Sequence, residues 1–193
     1  MVGPWQVCGM SPGLSPPTVR RRPRRGRARL RRGTVDDLDL LLEHRHRMFQ
    51  DMGGRTEKDI REHDVRYRRW VVPRMRQRKL IAVVAISPEG AAVASGCMWF
   101  RETHPVPASQ DRECPYILSV YTEPEHRGQG LATAIVRSLK EIARKRGYTQ
   151  VRLNASDAGM GVYSRIGFER TTEMRCYLTA KLRKRNRAAH ALL

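Results

Sequence analysis

The chain has 193 residues, with 38 Lys+Arg against 19 Asp+Glu and a formal net charge of +19. Hydrophobic residues make up 40%, which argues against wholesale disorder. The longest apolar run, Leu80 to Ile86, is far short of the roughly 20 residues that a membrane-spanning helix needs.

Such a charge first suggests a nucleic-acid binder, but its placement weakens that reading. Residues 1–33 hold nine Arg and no acid, and residues 181–193 hold five basic residues and no acid. Fourteen of the nineteen excess charges therefore lie in the two ends. The stretch between carries 24 basic and 19 acidic residues, as an ordinary, mildly basic domain would. Residues 1–28, with five Pro and four Gly, show no helical or strand period. They are expected to be a disordered Arg/Pro-rich extension or a start-site artefact, with Met10 as an alternative start. Their Arg-rich, acid-free character also faintly resembles a transit peptide, and contact with nucleic acid stays open for both basic tails. The folded domain is expected over 29–180, with 181–193 as a basic C-terminal tail. The cysteines (Cys8, Cys97, Cys114, Cys176) form no CxxC pair and no close Cys/His spacing, which argues against a metal site. They read as reduced thiols of a cytoplasmic protein.

In chain order, Ala28–Arg32 reads as a short strand. Thr34 with Asp37 fits a capping signature that starts a helix, whose face carries Leu38, Leu41, Leu42, Met48, Phe49 and Met52 before Gly53-Gly54 stops it. A second helix is expected over 57–77, kinked or ended by Pro73. Leu80–Ile86 is a β-branched apolar run, as in a central strand covered on both faces. Ser87–Gly90 is a turn, and 91–100 pairs back as a hairpin. Residues 103–113 read as a polar loop and 116–121 as a strand. Leu131, Ile135, Leu139 and Ile142 mark one helical face, stopped at Gly147. Residues 150–154 form a short strand, 158–165 a short helix, and 168–178 one or two closing strands. The strand–helix–strand unit over 116–154 should be a right-handed parallel crossover, and the earlier strands antiparallel. The fold class is a mixed α/β sheet with helices on both faces.

The informative stretch is Val120–Ala132, where a strand ends in an Arg/Gly loop that opens directly into an amphipathic helix. Gly128 and Gly130 let backbone approach a ligand closely. The first N–H groups of the helix lack intrahelical partners and the dipole adds positive charge, so an anion such as a pyrophosphate fits, reinforced by Arg127. It is not a P-loop, because no Gly-Lys-Ser/Thr follows. It is also a poor dinucleotide fingerprint, because Thr133 stands where a third glycine belongs. Taken alone, the glycine pair could be a turn that only starts a helix.

The longer pattern Pro124-Glu125-His126-Arg127-Gly128-Gln129-Gly130-Leu131-Ala132 resembles the acetyl-CoA pyrophosphate loop of the GNAT superfamily N-acetyltransferases. Downstream, Val162-Tyr163-Ser164-Arg165-Ile166-Gly167-Phe168 resembles that family's L-Y-x-x-x-G-F. Ser156-Asp157-Ala158-Gly159 is similar to a turn found in a subgroup. The resemblance covers about residues 29–180. It implies a GNAT-type mixed, mostly antiparallel sheet with a parallel, splayed strand pair (116–121 and 150–154) at the cofactor site. It also implies direct acetyl transfer from acetyl-CoA to a small-molecule or peptide amine, and it admits a homodimer.

By this match, the backbone of Leu118, Val120, Tyr121 and Thr122 would hold the thioester and pantetheine. The N–H groups of His126, Arg127, Gly128, Gln129, Gly130, Leu131 and Ala132 would hold the pyrophosphate. Relatives often carry Asn seven residues before the Tyr. Ser156 stands there in this chain, with Asn154 nearby as a substitute contact. Met160 follows Gly159, so a polar contact from that position is absent.

Acetyl transfer needs a deprotonated amine, a stabilised thioester oxygen, a protonated leaving thiolate and close alignment. The resemblance supplies a Leu118 backbone donor for the oxygen and Tyr163 as general acid, a phenol being a plausible acid toward thiolate. The base stays open among Glu102, His104, Asp111 and Glu113, with Glu113 nearest to where some relatives place a glutamate, and with a water chain as the alternative. The helices at 35–79, with His44, Arg45, His46, Arg47 and His63, would wall the acceptor. They are either a solvated basic face or a site for a carboxylate-bearing acceptor.

Overall fold

The computed structural model describes residues 26–104, 112–174, 176 and 178. Its elements run β1 (Arg29–Gly33), α1 (Leu38–Met52), α2 (Glu57–Arg76), β2 (Leu80–Ile86), β3 (Ala92–Glu102), β4 (Glu113–Thr122), α3 (Leu131–Lys145), β5 (Arg152–Leu153) and α4 (Asp157–Ser164). The strands form one sheet in the order β1-β2-β3-β4-β5. All neighbours are antiparallel except β4 and β5, which are parallel. The mixed sheet and its parallel crossover are therefore as the sequence implied. Most of the extension 1–28, all of the tail 181–193, Cys8 and Asp111 lie outside the described residues.

Side-chain alternation along the strands divides the core into two clusters. On one face Ala82, Val84 and Cys97 pack against Leu38, Leu41 and Leu42 of α1 and against Tyr67, Val71 and Met75 of α2. On the other, Ile81, Val83, Met98, Phe100 and Ile117 pack against Ile135, Val136, Leu139 and Ala143 of α3. β2 and the middle of β3 are covered on both sides, which is why they read as continuous apolar runs.

Several boundaries differ from the sequence reading. Thr34 N–H does bond the Asp37 carboxylate at 2.8 Å, but the first turn is a 3-10 turn over Val35–Asp37 and the α-helix begins at Leu38. Pro73 does not end α2, which continues to Arg76. Proline removes one N–H from the helix, while buried Val71 and Met75 on either side pin that turn to the sheet. β4 starts at Glu113, three residues earlier than expected, because its pairing with β3 extends to Glu102↔Glu113. β5 keeps only Arg152 and Leu153 of the expected 150–154. Among the described residues after α4 there is no strand, so the expected closing strands over 168–178 are not found there.

Two features of β4 shape the site. Between the pairs Ser95↔Tyr121 and Cys97↔Leu118, β4 carries one residue more than β3. Ser119 takes the strain of that bulge with φ at 52°, a left-handed value uncommon outside glycine. In addition, β4 pairs with β5 only at Tyr116↔Arg152 and Ile117↔Leu153. From Leu118 to Thr122 the β5 side of β4 has no strand neighbour among the described residues, so the two strands part there.

Candidate active site

The glycine loop lies immediately beyond the parted end of β4. Gly128 and Gly130 adopt φ of 74° and 79°, and a Cβ on either would meet nothing within 4 Å. Glycine is required here for backbone conformation, and the space beside it is open. Gly130 precedes the first residue of α3, whose first turn holds no acidic side chain. The initial N–H groups of α3 thus face an open, acid-free cradle suited to an anion. Two polar atoms at its edge, Thr122 Oγ1 and His126 Nδ1, are buried without a hydrogen-bond partner among the described residues. Buried polar atoms left unmatched are uncommon, and both fit a ligand's phosphate or amide groups. The Arg127 side chain is directed elsewhere. Its Nε donates to Thr122 O at 3.0 Å and its Nη2 pairs with Asp51 of α1, tying the loop to that helix.

A groove of about 1590 Å³ runs on the β5 and α4 side of the sheet, lined by Tyr116 of β4 and by Leu153, Asn154, Ser156 and Tyr163; its lining does not include Leu118 to Thr122 or the glycine loop. Ser156 caps α4, its hydroxyl accepting from Gly159 N–H at 3.3 Å. Tyr163 stands edge-on to Phe168, with centroids 5.9 Å apart. Burial pushes its phenol above the ordinary tyrosine value, since desolvation disfavours the phenolate. The Tyr163 ring also constrains Gly159, where a Cβ would fall 2.8 Å from it.

Leu118, Val120, Tyr121 and Thr122 lead along the end of β4 beyond its β5 pairing toward the loop 126–132, while Asn154, Ser156 and Tyr163 line the groove on the β5 side. Tyr121 contributes only backbone, because its side chain is buried against α1 and donates to Glu123 at 3.2 Å. Glu113 is not brought there. It sits five residues before Leu118, about 16 Å along the strand at 3.3 Å per residue, and its carboxylate accepts from Tyr148 OH at 2.7 Å. Glu102 and His104 lie at the same far end, both exposed.

The wall formed by α1 and α2 holds a network that the sequence pattern did not disclose. His44, 1% exposed, is hydrogen-bonded through Nδ1 to Ser95 Oγ at 2.9 Å, and its Nε2 lies 3.4 Å from Glu123. Burial holds this imidazole below the usual histidine value, against the pull of Glu123. Arg47 bonds both Glu43 and Glu123. His46 bonds Asp64 at 2.6 Å, which raises its pKa. Arg45 stacks over Phe49 and Tyr67 beside Asp64. The part of this basic face around Arg45, His46 and Arg47 is therefore neutralised by its own carboxylates rather than left as a free cationic surface. Glu123 showed no signal except its place at the strand end.

Comparison with known proteins agrees with this geometry. The family model described as "Acetyltransferase (GNAT) family" matches residues 38–168. An uncharacterised N-acetyltransferase of Methanocaldococcus jannaschii is 30% identical over 146 residues, 72% of this chain and 60% of that protein. The chain spans less than two thirds of the length of the curated relatives it matches. Among solved structures, a GCN5-related N-acetyltransferase from Ralstonia eutropha superposes with a TM-score of 0.73 at 28% identity, covering 78% of this chain and 98% of that one. A predicted acetyltransferase from Clostridium acetobutylicum, solved with acetyl-CoA, gives 0.71 at 27% identity, covering 78% and 95%.

Proposed function

The chain belongs to the GNAT acetyltransferase family, and from that premise we propose that it is an acyltransferase that uses acetyl-CoA and acetylates a primary amine directly at the gap between β4 and β5. One observation carries the reading: two glycines at positive φ open onto the acid-free start of α3, directly beyond a β4 edge that has lost its strand neighbour.

Acetyl-CoA supplies the thioester whose C–S bond breaks as the new C–N bond forms. The N–H groups from Gly128 to Ala132 hold its pyrophosphate, with the α3 dipole adding to their charge; those of His126 and Arg127, expected to join them, donate instead to Glu123 O and Pro124 O. The Val120, Tyr121 and Thr122 backbone orients the pantetheine as an added strand would, and Asn154 and Ser156 bound it on the β5 side. Leu118 N–H donates to the thioester oxygen as negative charge develops. Tyr163 OH gives its proton to the departing thiolate, and its burial keeps that proton in place at neutral pH. The acceptor's own proton leaves through water rather than to Glu113, which Tyr148 already engages.

No helix among the described residues is long and apolar enough to cross a membrane. Cys97, Cys114 and Cys176 form no disulfide among the described residues, in keeping with the cytoplasmic setting we propose. The basic ends take no part in the proposal.

The test is acetyl-CoA-dependent thiol release by the full chain over a panel of amines. Turnover of at least one amine, with acetyl-CoA binding measured by calorimetry, is the expected result. Failure to bind acetyl-CoA would overturn the reading.

A further inference from the structure

The face of the sheet beside Leu118 is aromatic. Tyr116 precedes Leu118 by two residues and so shares its face, and Trp99 is the cross-strand partner of Tyr116. Trp70 of α2 meets Trp99 edge-on at 5.0 Å, and Tyr67 stacks on Trp70 at 5.6 Å. Trp70, Trp99, Tyr116 and Leu118 are all half-buried, so the patch presents ring surface to a visitor.

Two guanidiniums flank it. Arg74 lies 4.4 Å over the Trp70 ring and 5.8 Å from that of Trp99, and its Nη1 donates to Trp70 O at 2.8 Å. Arg101 lies 4.6 Å over the Tyr116 ring. Both are half-buried. Among the described residues neither makes an ion pair, whereas Arg45, His46, Arg47 and Arg127 of the adjoining wall each have a carboxylate neighbour. A guanidinium stacked on rings keeps its N–H edge outward and is pre-organised for bidentate pairing with a carboxylate.

Building on the proposed amine acetylation, we propose that Trp70, Trp99 and Tyr116 with Arg74 and Arg101 form the acceptor subsite, and that it takes a primary amine carrying both a carboxylate and an apolar or aromatic body. The amine is presented at Leu118, where the thioester oxygen is held. The body lies over Trp99 and Tyr116, about one pleat (~7 Å) away. The carboxylate is gripped by an arginine. A polycation is disfavoured, because its charge would face two cations.

The experiment compares phenylalanine, phenylalanine amide, phenethylamine, glycylphenylalanine and spermidine as acceptors for the full chain, with acetyl-CoA affinity followed separately by calorimetry. Phenylalanine or glycylphenylalanine should be turned over, with kcat/KM at least about tenfold above any acceptor lacking the carboxylate. Arg74→Ala and Arg101→Ala should raise KM for the carboxylate acceptor by a similar factor, leaving its kcat and the affinity for acetyl-CoA nearly unchanged. Equal use of phenethylamine or spermidine, an unmoved KM in both variants, or no turnover of either carboxylate acceptor despite intact acetyl-CoA binding would overturn the subsite while sparing the acetyl-CoA reading. Loss of acetyl-CoA binding in the unaltered chain would remove both.

Discussion

The two sides of β4 are built by different means. Toward α3 and β5, the proposed site is mainly backbone, with Tyr163 as its one reacting side chain: glycines at positive φ, the uncapped start of a helix, and a β4 edge beyond its pairing with β5. Toward α1 and α2, it is side chain: buried His44, paired Arg47 and Glu123, stacked Tyr67, Trp70 and Trp99. A backbone site binds what every acyl transfer in such a fold shares, the phosphates and amides of the co-substrate. A side-chain site can vary without disturbing the strands, so it is suited to selecting the acceptor. Changes on the first side should therefore abolish chemistry or co-substrate affinity, and changes on the second should redirect or retune it.

The largest expected effect is Tyr163→Phe, which removes the proton donor and little volume. A fall in kcat of about a hundredfold or more is expected, with acetyl-CoA affinity retained. An unchanged kcat would take Tyr163 out of the chemistry.

Next is Gly130→Val. A β-branched residue at φ 79° costs about 1–3 kcal/mol of backbone strain, and it fills the cradle. Affinity for acetyl-CoA should drop about tenfold or more, while the thermal midpoint falls only by the roughly 2–4 °C per kcal/mol that the strain costs, because nothing packs on that side. Wild-type affinity would place the phosphates elsewhere.

Gly96→Val tests how the sides are joined through β3. A Cβ there would fall 2.7 Å from Ile135 Cγ2 and 3.3 Å from Val120 Cγ2. Overpacking between β3 and α3 should lower unfolding free energy by about 1–3 kcal/mol in urea titrations and shift Val120 in the pantetheine wall. A stability equal to wild type would mean that α3 can slide away from the sheet.

The smallest effects concern two histidines on one helix with opposite shifts. The folded-state pKa of His46 is raised, chiefly by its bond to Asp64. Its stabilisation is fully present below the unfolded value near 6.5 and is lost as pH rises through the folded value. That of His44 is lowered by burial, so stability falls as pH drops below about 6.5 and the unfolded state takes up the proton. Urea midpoints between pH 5 and pH 8 should show His46→Gln losing stability mainly at the acid end. The slope from His44 should vanish in His44→Gln. Parallel profiles in all three proteins would refute both assignments.

Short-range physics was legible in the chain itself. The apolar stripe Leu131, Ile135, Leu139 and Ile142, the β-branched run Leu80–Ile86, and the glycine pair before a helix each express a local preference of φ or of side-chain spacing, and each appears in place. Local signals also fell short. Pro73 leaves open whether α2 kinks or ends, and burial of Val71 and Met75 carries the helix past it, close to the expected limit at 77. Thr34 reads as the start of an α-helix but caps a 3-10 turn. One or two closing strands are expected over 168–178, yet the described residues there form none.

What the sequence determined by itself is the order of elements as far as α4, the two-sided core and the glycine loop before α3, because these follow from nearest-neighbour geometry and from hydrophobic periods of 2 and 3.6 residues. What only the tertiary structure decided is which side chains meet. His44 and Ser95 are 51 positions apart, and Arg74 reaches Trp99 only because α2 packs across β3. Glu113 joins Tyr148 because β4 runs three residues longer than its own pattern shows. Those meetings depend on strand register, on one extra residue at Ser119 and on how helices seat on the sheet, and such long-range choices leave no period in the chain to read.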